Sequence, residues 1–525
     1  MARGVALAAA IAAALLPVSG AGGAGAQTPK RGGTVVIGVP STEIACLNLL
    51  YAPCEFDAPF VLGQTLEGAF DVDSSDLTYR PNLVSRVTFT RNPPFTLTYH
   101  IRPTARWSDG APVTAADFVF TYQVSSREGV DPRWIGDFEA IRSARAIAAK
   151  TLRVVLRRRF AAWRELFPFV LPRHVLAGQD LTSVWRDRID DPRTGRPIGS
   201  GPFLVRSIEG RGRDVVYVGN PAYWGRHEAY LDRLVLRVFP DGDPAEALLR
   251  GEVDIVPGAA QLRGTPGITV ITVPNTLLEH LSIRIGAGGH PALANKLVRR
   301  ALAYGIDRGT IVRSAPFGAR LLDNVVFFTN SAFYMANWAR YRYRPAEARR
   351  LLELAGCRPE ADGVYSCGGE RLSLRFVTTA GNPVRQAVLE LAQTQLRRAG
   401  IEVVPEYVPP SALGTLLDRG DFHIALFRYV LAPDPGGRVD IFGCGKGSNI
   451  TGYCSRLVTR DLDESTRIFD TKSRAALLNG VDRQLSRAVP VLPLYQAPGS
   501  FAFKAALRGV TEDFVRKSEN WWLAR

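Results

Sequence analysis

The six cysteines are the residues whose spacing most clearly suggests chemistry, and that chemistry is oxidation to disulfides. None of them has the C-x-x-C spacing of a zinc or redox site. An even number of cysteines in an exported chain indicates disulfides, and pairing between near neighbours is the simplest of the 15 possible connectivities. Turn-forming residues between positions 357 and 367 favour such a short loop. We therefore predict three local disulfides: Cys46–Cys54, Cys357–Cys367 and Cys444–Cys454.

Other reactive patterns are not found in the sequence. The six histidines are isolated, with no H-E-x-x-H or similar metal-ligand spacing. There is no G-x-S-x-G sequence for an acyl-transfer serine, and Gly443–Ser448 (GCGKGS) lacks the residue order of a phosphate-binding loop. No pair of carboxylates can be singled out as acid and base. We expect no catalytic residue, metal or cofactor, and an exported hydrolase of unknown type stays the alternative from another functional class.

The length and composition indicate a large globular protein of more than one lobe. A chain of 525 residues exceeds the size at which a single hydrophobic core stops growing. The formal net charge of +15 raises the question of a nucleic-acid partner. The basic residues are scattered, however, and the densest run, Arg157–Arg159, follows an alternating stretch that is typical of a strand. We therefore expect no nucleic-acid binding.

The first 26 residues have the pattern of a secretory signal peptide. Arg3 precedes an apolar run from Val5 to Leu16, and the small-residue sequence Ala24–Ala26 follows. Twelve residues at ~1.5 Å each cannot cross ~30 Å of hydrocarbon, which argues against a membrane anchor. No cysteine lies near the cleavage point, so the thiol that a lipoprotein anchor requires is not found there. We predict a signal peptide at 1–26 and a soluble periplasmic protein that contacts a membrane only through a partner.

The remaining chain alternates between strand and helix patterns. Residues 33–39, 95–102, 215–219 and 234–239 have the β-branched or alternating character of strands, as do 371–378, 401–404 and 422–429. Residues 292–303, 345–355 and 384–399 have helical spacing of apolar side chains. Thr114 is a predicted helix N-cap, with Asp117 three positions later. This alternation predicts α/β lobes with mixed sheets, joined by strands because no linker sequence is present.

Several motifs, in order, resemble the family 5 extracellular solute-binding proteins of ABC importers, which include oligopeptide-, dipeptide- and nickel-binding members. The stretch Leu97–Tyr122 contains W-S-D-G-A-P-V-T-A-A-D, and Ile198–Trp224 contains G-S-G-P-F and N-P-A-Y-W. Further matches are Gly251–Ile255 (GEVDI), Val298–Ile311 (VRRALAYGIDRGTI), Pro345–Gly356 (PAEARRLLELAG) and Val491–Tyr495 (VLPLY). The resemblance covers essentially all of residues 32–510.

The resemblance implies a periplasmic-binding-protein-like clamshell of two mixed-sheet α/β lobes with an additional inserted lobe. Lobe I would comprise 27–75, 195–275 and 495–525, the extra lobe II 76–194, and lobe III 276–494. The lobes would close over a peptide or similar small organic solute and present it to ABC permease subunits, and the protein would act as a monomer. A chaperone or sensor that uses the same clamshell without a transporter stays open, because a fold alone does not fix function.

The resemblance also implies a ligand-facing loop at 428–434. In peptide-binding members an Asp four residues before a Pro anchors the α-amino group of the peptide, and here the residue four before Pro435 is Leu431. Arg428 stands where an aromatic residue is common, and Tyr429 is expected to offer an aromatic face.

The loss of that Asp leaves two alternatives open, because an unpaired buried ammonium is costly. Either Asp434 or Glu43 supplies the carboxylate, or the ligand has no free amine at this point. The loop is expected to face the segment from Glu43 to Tyr51.

Overall fold

The computed structural model describes residues 28–41, 43–51, 54, 58–90, 92–130, 138–240, 242–511 and 518–524. The predicted signal peptide lies outside these residues. The helices are α1 (Ala58–Leu62), α2 (Ala115–Val124), α3 (Arg173–Leu176), α4 (Pro244–Leu249), α5 (Lys296–Tyr304), α6 (Arg308–Ser314), α7 (Pro345–Leu354), α8 (Pro383–Arg398), α9 (Pro410–Arg419), α10 (Arg438–Phe442), α11 (Arg456–Ser465) and α12 (Thr471–Ala488).

The strands of the N-terminal half are β1 (Thr34–Val39), β2 (Phe70–Asp73), β3 (Thr78–Pro81), β4 (Val84–Phe89), β5 (Thr96–Ile101), β6 (Ile141–Ala148), β7 (Thr151–Leu156), β8 (Asp190–Asp191), β9 (Arg196–Pro197), β10 (Phe203–Glu209), β11 (Asp214–Gly219), β12 (Arg233–Val238) and β13 (Ile255–Pro257). Those that follow are β14 (Ile268–Ile283), β15 (Arg320–Leu321), β16 (Arg358–Pro359), β17 (Tyr365–Cys367), β18 (Glu370–Arg371), β19 (Ser373–Thr379), β20 (Glu402–Val408), β21 (Ile424–Val430), β22 (Val491–Lys504), β23 (Leu507–Arg508) and β24 (Trp522–Leu523).

Among the described residues, eleven strands form one mixed sheet. Its order is β10-β11-β12-β1-β13-β22-β14-β21-β19-β20, and β15 pairs with β22 beside this path. The long antiparallel strands β14 and β22 link the N-terminal and C-terminal parts of the sheet, which agrees with the expectation of strand connections. Their register shifts between Val273 and Leu277, so the pairing is irregular midway along β14.

The hydrophobic core is divided in the same way. One large cluster is built from side chains between Val35 and Ile255, together with a few from the C-terminal segment. It includes Trp107 of the expected lobe II as well as side chains of lobe I. A second cluster is built from side chains between Leu278 and Ala497. Two smaller clusters lie beside these large ones, and several separate apolar cores are expected for a chain of this length.

The predicted helices and strands are mostly confirmed, and the exception has a local cause. Helix α2 begins after Thr114, whose N–H donates to Asp117 Oδ2 at 2.7 Å, as the capping pattern predicts. The single helix predicted for 292–303 is wrong. A 3₁₀ helix (Pro291–Ala294) and α5 are separated by Asn295, whose side chain accepts a hydrogen bond from the Leu297 N–H at 2.9 Å. This cap starts a new helix because Asn at an N-cap favours non-helical backbone at its own position.

Candidate functional site

A cavity of about 320 Å³ lies between two parts of the structure that are distant in sequence. Its first wall consists of the turn between β2 and β3, and of the segment around the short 3₁₀ helix Trp163–Glu165. Its second wall consists of a loop after β15, the segment after β21 and the beginning of α12. The lining residues are Asp76–Tyr79, Ala161 and Arg164 on the first wall, and Val326–Phe328, Ser331–Phe333, Pro433–Pro435, Ile468, Phe469, Thr471, Arg474, Ala475 and Leu478 on the second.

The two walls are in contact at the edge of the cavity. The Ala161 N–H donates to the Thr466 carbonyl oxygen at 2.8 Å. The rings of Phe89 and Phe469 meet edge to face, with 5.1 Å between their centroids. These contacts join the expected lobe II to the expected lobe III beside the cavity.

Asp434 and Arg474 form the main polar feature of the second wall. Asp434 caps the 3₁₀ helix Pro435–Gly437 by accepting a hydrogen bond from the Gly436 N–H at 2.7 Å. Its two oxygens also accept hydrogen bonds from both terminal nitrogens of Arg474, at 2.6 and 2.7 Å. The Arg474 Nε donates to the Ser465 carbonyl oxygen at 2.9 Å. A bidentate pair of this kind fixes the orientation of both side chains.

A carboxyl group on the first wall faces this pair. The Tyr79 hydroxyl donates to Glu165 Oε1 at 2.7 Å. Burial, and secondarily the nearby Asp434 carboxylate, raises the pKa of Glu165 to about 7. The ionisation of Glu165 therefore falls within the physiological pH range, and it changes the charge between the two walls.

A third arginine lies behind the second wall. Arg438 is 1% exposed, and its terminal nitrogens donate to the carbonyl oxygens of Ala432 at 3.3 Å and Val326 at 3.1 Å. Burial lowers the pKa of Arg438 to about 10, so it keeps its positive charge at neutral pH. Its guanidinium carbon lies 5.8 Å from the ring centroid of Phe328, which lines the cavity.

The rest of the lining is largely apolar. Aromatic and aliphatic side chains of the second wall supply most of this surface: Val326, Phe327, Phe328, Phe333, Ile468, Phe469 and Leu478. Small-molecule sites are usually apolar pockets in which a few polar groups have fixed positions.

The structure brings one of the predicted site residues, Asp434, to the cavity wall. Leu431 is buried in the second core cluster instead. Tyr429 is half-buried, and its ring stacks on His280 with 4.2 Å between the centroids. The ligand-binding roles of these residues stay predictions.

The other three predicted residues lie in different surroundings. The Arg428 Nε donates to the buried Glu279 at 3.0 Å. Glu43 is paired with Arg213 at 3.0 Å, and Tyr51 donates its backbone N–H to the Asn48 carbonyl oxygen. The structure does not bring them to Asp434 at the 320 Å³ cavity, and their proposed roles also stay predictions.

Sequence reasoning missed Tyr79, Arg164, Glu165, Arg438 and Arg474. Tyr79 and Glu165 are 86 positions apart, and Asp434 and Arg474 are 40 apart. No local pattern signals such tertiary pairs. The Asp-Pro-Gly-Gly sequence at 434–437 is typical of a turn. It is the one local pattern that indicates a loop at this part of the second wall.

The three predicted disulfides are confirmed: Cys46–Cys54, Cys357–Cys367 and Cys444–Cys454. The third joins Cys444, within the glycine-rich stretch Gly443–Ser448, to Cys454, so this stretch is held by a disulfide. Within the described part of the chain, no helix combines the length and apolar character needed to cross a bilayer.

Comparison with known proteins relates this chain to a family. The model described as "Bacterial extracellular solute-binding proteins, family 5 Middle" matches residues 78–449. The oligopeptide-binding protein OppA of Mycobacterium bovis is 28% identical over 470 residues, which cover 85% of this chain and 75% of that protein.

Solved structures of other proteins have the same fold as this chain. The periplasmic EDTA-binding protein EppA has a TM-score of 0.81 at 22% identity, with 95% of this chain and 98% of that chain covered. The oligopeptide-binding protein AppA from Bacillus subtilis, in complex with a nonapeptide, has a TM-score of 0.71 at 22% identity and covers 95% of this chain and 100% of that one. The match to the family model over most of the length shows that the chain belongs to the bacterial extracellular solute-binding proteins of family 5.

Proposed function

We propose that this protein captures a peptide or similar small organic solute in the cavity between its lobes and delivers it to the permease subunits of an ABC importer. The observation that carries this proposal is the cavity of about 320 Å³ between two walls that touch through Ala161 and Thr466. Family membership and the 28% identity to an oligopeptide-binding protein support a transport role.

The proposed lobes are 27–75 with 195–275 and 495–525, then 76–194, then 276–494. These boundaries cut β14 and β22 close to the irregular pairing between Val273 and Leu277. Long strands that cross such a boundary support bending of one lobe against the other. Closure would bring Phe89 against Phe469 and enclose the solute.

The proposed setting is the periplasm, where the protein would act as a soluble monomer without catalysing a reaction. Delivery requires the permease to recognise the closed form, so the solute must stabilise closure. By linkage, this happens only if the solute binds the closed form more tightly than the open form.

Two experiments test the proposal. Mass spectrometry of small molecules released from the natively purified protein identifies the solute, and uptake of that solute is then measured in the native host with the gene deleted. We expect deletion to abolish high-affinity uptake and the wild-type gene to restore it. Unchanged uptake after deletion contradicts the transport role.

A further inference from the structure

The polar end of the cavity contains an arginine, Arg164, that forms no ion pair with a carboxylate in the described part of the chain. Among the residues that the structure describes, Arg164 and Arg474 line the cavity, and Arg438 lies directly behind it. Asp434 is the carboxylate that lies against Arg474. The buried Nε of Arg438 has no acceptor within hydrogen-bonding distance in the described part of the chain. Arg438 and Arg474 are buried, whereas Arg164 is exposed and its guanidinium carbon lies 4.2 Å from the centroid of the Trp163 ring. A guanidinium beside a protein wall attracts an anion more strongly than one in open water.

Asp434 is poorly placed to hold a ligand ammonium. Both of its oxygens accept hydrogen bonds from Arg474, and one of them also accepts the Gly436 N–H. Its side chain is 11% exposed, so there is little room for another partner. An ammonium brought to this carboxylate would lie beside the Arg474 guanidinium, and like charges repel.

The other acidic groups near the cavity have partners of their own. Glu165 accepts a hydrogen bond from Tyr79, and its raised pKa of about 7 leaves it partly protonated at neutral pH. Asp76 lines the cavity at an exposed position, where it pairs with Arg80 at 2.8 Å. Arg80 also contacts Asp73, and this group is exposed to solvent that screens its charge.

Beside the charged end lies an apolar surface that includes Phe327, Phe328 and Phe333. The volume of about 320 Å³ is at the small end of the ~300–1,000 Å³ typical of ligand pockets. The site therefore suits one small molecule with an apolar body and one charged end.

We infer that the solute is a small organic acid without a compensating ammonium, whose carboxylate lies toward Arg164 and whose apolar body packs on the phenylalanines. The inference rests on the proposed function and specifies its substrate class. It resolves the alternatives left open by the sequence in favour of a ligand that needs no amine anchor.

Three probes with the same phenyl body test the inference: 3-phenylpropionate, 3-phenylpropanamide and 3-phenylpropylamine, with charges of −1, 0 and +1. Their affinities are measured by isothermal titration with protein dialysed free of bound solute. We expect the acid to bind at least tenfold more tightly than the amide, and the amine to bind more weakly than both. Equal affinities, tightest binding by the amine, or binding by none of the three would overturn the inference.

Variants that remove one charge show which residue accounts for the preference for the acid. Arg164→Met should weaken binding of the acid at least tenfold while changing that of the amide less than twofold. Arg158→Met, an exposed change of the same type outside the cavity wall, should change neither. A loss of amine binding in Asp434→Asn, without an effect of Arg164→Met on the acid, would show instead that Asp434 is an amine anchor.

Failure of this inference is distinguishable from failure of the proposed function. The solute released from native protein shows whether the protein captures a molecule at all, and its charge is a second measure of the ligand class. A released solute with a free ammonium and no net negative charge contradicts the inference and leaves the transport role standing. Unchanged uptake after gene deletion contradicts the transport role whatever the probes show.

Discussion

Asp434 and Arg474 form a bidentate ion pair on the wall of the cavity, with nitrogen–oxygen distances of 2.6 and 2.7 Å. Both side chains are about nine-tenths buried. The carboxylate that sequence reasoning offered as a ligand anchor therefore already has a structural partner. The pair connects the segment after β21 to α12, and so it fixes the shape of the second wall.

The first prediction concerns the stability of this pair. Asp434→Asn should lower the free energy of unfolding by about 3 kcal/mol, because it leaves Arg474 buried without its counterion. Asp76→Asn provides a matched control on the opposite wall, since Asp76 is 39% exposed and pairs with an exposed Arg80. That change should cost less than about 1 kcal/mol. Urea denaturation measures the free energy of unfolding of both variants. Equal decreases would show that the buried pair stabilises the protein no more than the exposed pair does.

The second prediction concerns pH and Glu67. Glu67 is buried and accepts a hydrogen bond from the Trp224 Nε1 at 2.8 Å. Burial, and then the nearby Asp71, raises the pKa of Glu67 from 4.5 to about 8. Between these pH values the folded state binds more protons than the unfolded state, so the free energy of unfolding falls as the pH rises.

Glu67→Gln should therefore reduce the loss of stability between pH 5 and pH 8.5 by an amount on the order of 4 kcal/mol. The slope should not vanish, because burial also raises the pKa of Asp482, to about 7. Denaturant unfolding at the two pH values measures the change, and Glu390→Gln on the exposed side of α8 is the control. An identical pH profile for Glu67→Gln and wild type would contradict the assignment.

The third prediction separates the disulfides from the binding site. Cys357 and Cys367 close a short loop that lies outside the cavity wall. Replacing both by serine should lower the free energy of unfolding by up to about 3 kcal/mol, through greater entropy of the unfolded chain. Binding of the released solute should stay within twofold of wild type at a temperature where both proteins are folded. A large loss of affinity in the folded variant would show that this loop acts on the site.

The fourth prediction tests closure without altering the cavity lining. Phe89 contacts Phe469 across the two walls but does not line the cavity. Phe89→Ala should weaken the closed form and raise the apparent Kd by about two- to tenfold, as expected for an aromatic pair of 0.5–1.5 kcal/mol. Tyr407→Ala, an exposed aromatic change on β20, should leave the Kd unchanged. Small-angle X-ray scattering of the free protein should show a larger radius of gyration for Phe89→Ala only. Equal Kd values for Phe89→Ala and wild type would mean that the contact between Phe89 and Phe469 does not stabilise the closed form.

The sequence predicted those features that depend on consecutive residues. The Thr114 and Asp117 cap, the strand β5 and the three disulfides each have a signal within about a dozen positions, and all are found. The cavity depends on tertiary pairing, such as the approach of Tyr79 to Glu165 across 86 positions. Of the predicted residues in the loop at 428–434, Asp434 lines the cavity, and the ligand-facing role of the loop stays a prediction. The burial of Leu431 and the pairing of Arg428 with Glu279 depend on neighbouring strands. The spacing of residues within one segment does not predict which strands become neighbours.

The most direct test of the central claim fills the cavity. Ala332 lines it at an exposed position, while Ala336 lies on the same loop, also exposed, outside the lining. Native mass spectrometry of freshly purified protein compares Ala332→Trp with Ala336→Trp and wild type. The account predicts one bound solute in wild type and Ala336→Trp, and its loss from a correctly folded Ala332→Trp. Full retention of the solute by Ala332→Trp would contradict the claim that this cavity is where the protein binds its solute.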